Sequence, residues 1–165
     1  MPRFTLSDRD EQPFRSLIET CHRADTTVGI AESLTGGLLG YLLIRQEGGG
    51  AVVTGSLVTY HSQVKRRLLR VGPGPVVSGA AAGEMAMGAR RLLNAEWAVS
   101  LTGVAGPETQ DGMPVGTLFV GLADRSRTPR VLSFHLQGEP DEIRWAAAVQ
   151  AAEVANDVIS VRGEP

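Results

Sequence analysis

The chain has 165 residues, 42% of them hydrophobic and 21% charged, with a net charge of −2; this suits one compact domain, over 1–165, with a sizeable core. No dense basic stripe is present, which argues against a nucleic-acid surface, and no apolar run approaches the roughly 20 residues of a membrane helix. Residues 1–12 are polar and lack a signal-peptide core, so a cytoplasmic protein is expected.

The apolar residues Phe14, Leu17, Ile18 and Cys21 recur at helical spacing and predict a helix over 14–21, with Pro13 in its first turn. Cys21 is the one cysteine, so no internal disulfide can form, and its place in the stripe predicts a buried apolar role. The β-branched run 26–31 reads as a buried strand, followed by the segment Glu32-Ser33-Leu34-Thr35-Gly36-Gly37 and a helix over 38–44. Residues 47–50 read as a turn, 52–60 as a strand and 62–69 as a short cationic helix. Ser78 is placed to cap a helix over 79–93. Strands follow over 97–101, 115–123 and 131–136, and a last helix runs over 140–159, with Pro140 at its first position and Asp141 and Glu142 in its first turn. Early alternation of helix and strand, then consecutive strands, predicts a three-layer α/β/α sandwich around a mixed, mostly parallel sheet.

Glycine is abundant, 20 of 165 residues against the usual ~7%, and its clusters mark three candidate sites. The first is 32–37, where a strand hands over to a helix N-terminus; Gly36 and Gly37 allow close approach of a ligand, Ser33 could act as a nucleophile, and Ser33 or Thr35 could equally be a helix cap. The second is 59–65, where Tyr60 or Lys65 could serve as base to a serine if its pKa were lowered, or where Lys65 could belong to a solvated face with Arg66, Arg67 and Arg70. The third is 100–107, which also follows a strand; Thr102 could bond a ligand and the glycines, Gly103 among them, could expose backbone donors, or the segment could be a turn required for packing. His22, His61 and His135 have no metal-ligand spacing, so no metal is expected.

Taken in order, AESLTGGLLG, VTGSLVTYHSQVKRRLL, VSGAAAGEMAMGAR, VSLTGVAGP and PVGTLFVGLA resemble the CinA C-terminal domain family, over residues 27–144. The resemblance implies an α/β/α sandwich with a mixed five-stranded sheet, and hydrolysis of nicotinamide mononucleotide to nicotinic acid mononucleotide and ammonia. By the same resemblance Ser33 is the nucleophile, Tyr60 and Lys65 assist it, and Thr35, Gly36, Gly37, Thr102, Gly103 and Arg144 bind the substrate. The hydrolysis it implies requires no metal and no organic cofactor, and a homo-oligomer is expected. The chain departs from the family pattern at Leu34, where cysteine is usual, at Gly49-Gly50, where two serines are usual, and at Met113, where lysine is common. Pro140 replaces the first arginine of the last helix, and Arg144 remains. These departures leave open a protein that binds a nucleotide or a protein partner without turnover.

Overall fold

The computed structural model describes residues 7–126 and 128–162. In chain order the elements are α1 (Asp8–Arg23), β1 (Val28–Glu32), α2 (Leu38–Ile44), α3 (Gly49–Val52), β2 (Val53–Val58), α4 (Ser62–Leu69), α5 (Gly79–Leu92), β3 (Trp97–Gly103), β4 (Thr117–Ala123), β5 (Arg130–His135) and α6 (Pro140–Arg162).

The strands form one sheet in the order β2-β1-β3-β4-β5. β1 is parallel to both β2 and β3, while β4 is antiparallel to β3 and to β5. Four strands therefore point the same way and β4 alone is reversed, the mixed sheet that the order of helices and strands predicts. β1 and β3 are buried along their whole length, which is why they read as continuous apolar runs rather than alternating ones.

Each face of the sheet carries its own apolar layer. On one side Phe14 and Leu17 of α1, Leu39 and Leu42 of α2, and Ile143 and Ala147 of α6 close over Ile30, Val99, Leu101 and Val120. On the other, Leu69 at the end of α4 and Ala81, Met85 and Ala89 of α5 pack on Ala31 and Ala98. The small residues of α5 let it come close: a Cβ at Gly88 would stand 2.4 Å from the Leu69 carbonyl oxygen, so α5 and the end of α4 touch backbone to backbone.

The first helix starts earlier than its apolar stripe. Ser7 caps it, its hydroxyl accepting from the Asp10 N–H at 3.2 Å while the Asp10 carboxylate accepts from the Ser7 N–H at 3.3 Å, a reciprocal capping box. Pro13 thus lies inside α1, not in its first turn. Residues 8–12 carry no apolar periodicity, so hydrophobic spacing alone begins the helix at Phe14. Residues 49–52, read as part of a turn and a strand, form the single helical turn α3. β3 extends two residues further, through Gly103, because its end stays paired to β4 at Leu118. Among the described residues, no helix is long and apolar enough to cross a membrane.

Candidate active site

The parallel trio β2-β1-β3 ends at one edge of the sheet, where an open α/β sheet binds its ligands. The register sets Glu32 beside Val58 and Ala31 beside Ser100. The three glycine- and hydroxyl-rich segments of the sequence, which follow β1, β2 and β3, are thereby brought together.

Glu32, the last residue of β1, is fully buried. Its carboxylate accepts five hydrogen bonds: one oxygen from the Thr35 hydroxyl (2.7 Å), the Gly37 N–H (3.2 Å) and the Leu39 N–H (3.0 Å), the other from the Gly40 N–H (2.8 Å) and the Ser56 hydroxyl (2.8 Å). An anion at a helix N-terminus satisfies donors that would otherwise be orphaned. Here the protein supplies that anion itself. The Thr35 hydroxyl and the Gly37 N–H, both expected to bind substrate, thus face Glu32. The Gly36 N–H is also engaged, donating to the Ser33 carbonyl at 3.1 Å. Gly40 has to be glycine, because a Cβ there would lie 2.6 Å from the Ser56 Cβ and 3.1 Å from the Glu32 carboxylate.

Ser33 projects from the turn that Glu32 braces, and it meets Lys65. The Lys65 Nζ donates to the Ser33 Oγ at 2.9 Å and to the Tyr60 carbonyl at 3.0 Å. Lys65 is 1% exposed, which excludes the solvated helix face as its setting. Burial pulls its pKa down from an ordinary 10.5 to about 8, with the charge of Asp111 opposing the shift. Tyr60 reaches the pair through its backbone carbonyl, while its ring stands exposed at the mouth of the cleft. Lys65 is also the only lysine of the chain, against fifteen arginines. That count is a signal in the sequence which motif spacing alone does not use.

A cleft of about 240 Å³ opens at Ser33, lined by Tyr60 and His61, by Gly103 to Gly106, and by Glu108, Gln110 and Arg144. Arg144 comes from α6, where its Nε donates to the Leu34 carbonyl at 3.2 Å and its guanidinium pairs with Asp141 at 2.7 Å. Thr102, expected as a ligand-binding hydroxyl, is buried and donates instead to the Val76 carbonyl at 2.8 Å. Successive β3 side chains point to opposite faces, and Thr102 serves the face that carries α5.

The wall containing Glu108 and Gln110 is a small hairpin closed by two bonds, Gln110 N–H to the Met113 carbonyl (3.2 Å) and Met113 N–H to the Gln110 carbonyl (2.8 Å). Its tip, Asp111-Gly112, has positive φ at both positions, 54° and 75°, the type I′ geometry that an Asp-Gly pair favours. The Asp111 carboxylate accepts from the Val76 and Val77 N–H groups at 2.7 and 3.0 Å. Sequence reasoning missed Asp111, although the Asp-Gly dipeptide announces the turn.

Fold and site together define an α/β protein with a buried serine–lysine pair at the carboxyl edge of its parallel strands. A family model, the CinA C-terminal domain, matches residues 11–159, and the chain belongs to that family. It is 36% identical over 154 residues to a CinA-like protein of Synechocystis, covering 88% of this chain and 37% of that one; the chain thus spans well under half the length of this relative. The fold is that of solved structures: a competence-damaged protein (CinA) superfamily member from Klebsiella pneumoniae (TM-score 0.87, 25% identity, 92% of this chain and 98% of the other) and the competence/damage inducible protein CihA from Agrobacterium tumefaciens (TM-score 0.80, 33% identity, 91% and 95%).

Proposed function

We propose that the protein is an amidohydrolase that uses Ser33 as nucleophile, with nicotinamide mononucleotide as its substrate. The observation that carries this reading is the buried 2.9 Å contact between the only lysine and Ser33. A serine hydroxyl is a weak nucleophile and needs a base beside it. An amine whose pKa is about 8 is neutral in a useful fraction of molecules near neutral pH. The Tyr60 carbonyl holds one N–H of that amine, so in the neutral form the lone pair is free to accept the Ser33 proton.

Ser33 then attacks the carboxamide carbon. The proton passes to Lys65 and on to the departing nitrogen, which leaves as ammonia. Water, activated by the same amine, releases the acid from the acyl-enzyme. Arg144, which lines the same cleft as Ser33, supplies a positive charge for the substrate's phosphate. Gly103, on the same lining, borders the space above Ser33. The Glu32-braced turn contributes rigidity rather than anion binding. The Gly36 and Gly37 N–H groups are already paired, so neither the phosphate nor the oxyanion draws on the glycines at 36–37.

The test is ammonia release from nicotinamide mononucleotide by the purified protein, with Ser33→Ala alongside. Turnover by the wild type and a folded, inactive alanine variant is the expected result. A wild type that binds the nucleotide without releasing ammonia points to the reading without turnover, which the loss of the family arginine at Pro140 favours.

A further inference from the structure

The hairpin at 106–116 forms a wall of the cleft, and the carboxylate of its exposed tip residue, Asp111, is turned to the Val76 and Val77 N–H groups. One oxygen of Asp111 accepts both the Val76 and the Val77 N–H, in the segment that leads to the Ser78 cap of α5. That segment is held from below as well, because the Thr102 hydroxyl of β3 donates to the Val76 carbonyl. A continuous path therefore runs from β3 through Val76 to the hairpin, and the hairpin carries Glu108 and Gln110 to the cleft.

We propose that Asp111 is a positioning residue for the Ser33–Lys65 pair, latching the hairpin to Val76 and Val77 and so fixing both the cleft wall and a negative charge that acts on the Lys65 amine. Other charged and titratable groups stand on the cleft lining and on the helices near Lys65 in the chain and fold. Tyr60 and His61 precede α4, Glu108 and Arg144 line the cleft, Arg66 and Arg67 follow Lys65 on α4, and Glu84 of α5 accepts from the Gly72 N–H. Among these neighbours Asp111 is the one whose charge is felt by Lys65, and it favours the protonated amine. Burial, the larger influence, and Asp111 thus pull in opposite directions, with the amine at about 8. Without the carboxylate Lys65 would be a weaker base, because burial would act unopposed.

This inference rests on Ser33 and Lys65 being the reacting pair, but its test does not need turnover. A single lysine means that protein labelled with 13C at lysine Cε gives one side-chain amine resonance, which reports Lys65 directly. In the wild type it should titrate near pH 8. In Asp111→Asn the amide oxygen can still accept both N–H groups, so the latch stays while the charge goes. In Asp111→Ala both are lost. The titration midpoint should fall in both variants. Hydrogen exchange at the Val76 and Val77 amides should stay slow in the asparagine variant and accelerate in the alanine variant. An unmoved midpoint in Asp111→Asn would overturn the electrostatic role, and unchanged exchange in Asp111→Ala would overturn the latch. Failure of ammonia release with normal titrations would fault the proposed function and leave this inference standing.

Discussion

Replacing Lys65 with methionine should make stability less dependent on pH, and should make the protein more stable near neutral pH. A lysine held at a pKa of about 8 in the fold and at 10.5 when exposed binds fewer protons folded than unfolded. Between those values the unfolded chain keeps a proton that the native state has shed, so the stability contribution of Lys65 rises with pH across the window and is lost as pH falls through 8. The full span corresponds to about 3 kcal/mol, at 1.36 kcal/mol per unit. Between pH 7 and pH 10 the wild type should gain about 2.5 kcal/mol relative to the methionine variant. Against this stand the two bonds to Ser33 and the Tyr60 carbonyl, worth about 1 kcal/mol each. Lys65→Met should therefore be about 1 kcal/mol more stable than wild type at pH 7 and about 1 kcal/mol less stable at pH 10. Urea unfolding of both proteins at pH 7, 8, 9 and 10 measures the difference. A difference that stays constant across the series would mean that Lys65 is not desolvated, and the argument for its role as a base would fail with it.

The same titration should shape catalysis. Because the amine must be neutral to take the Ser33 proton, kcat/KM for ammonia release should climb with pH and level off above about 8; a profile flat from pH 6 to 9 would contradict this. Glu32→Gln puts an NH2 group against N–H and O–H donors whichever way the amide turns, and should cost about 2–4 kcal/mol in chemical denaturation; an effect below about 0.5 kcal/mol would show the five bonds to be replaceable. Pro140→Arg places a guanidinium one turn before Arg144 on α6 and should tighten nicotinamide mononucleotide by about 1.5–3 kcal/mol. Calorimetric titration with the mononucleotide and with its dephosphorylated riboside checks this, since a gain for both ligands would exclude a phosphate contact.

Much of the fold is legible in the sequence because its strands are either wholly buried or clearly bounded. β1 and β3 stand out as apolar runs, and the stripe Ile143, Ala147, Ala151 marks α6. Helix ends set by polar chemistry are less visible: the Ser7–Asp10 box starts α1 six residues before any apolar periodicity. The site divides in the same way. The approach of Ser33 to Lys65 is foreshadowed by the order of motifs along strand ends, whereas the inward turn of Thr102 depends on which face of β3 it occupies. The segment 32–37 looks like one ligand loop but combines two tasks. Glu32 and Thr35 build the turn, and Ser33 turns to Lys65. Local pattern cannot separate these, since a carboxylate that fills a helix N-terminus is written in the same letters as one that leaves it open.

The distribution of cations in this chain makes it unusually open to chemical interrogation. Every basic side chain outside the site is an arginine or a histidine, and guanidinium groups do not acylate under conditions where amines do. The terminal amine aside, the only amino group in the molecule is the one beside Ser33. Lysine acylation by a small amine-selective electrophile can therefore occur only at Lys65, and because that amine is 1% exposed its rate reports both the neutral fraction and how often the amine becomes accessible, with suppression by an added ligand reporting occupancy of the cleft. Surface lysines, which in most proteins drown such a signal, do not exist here to compete.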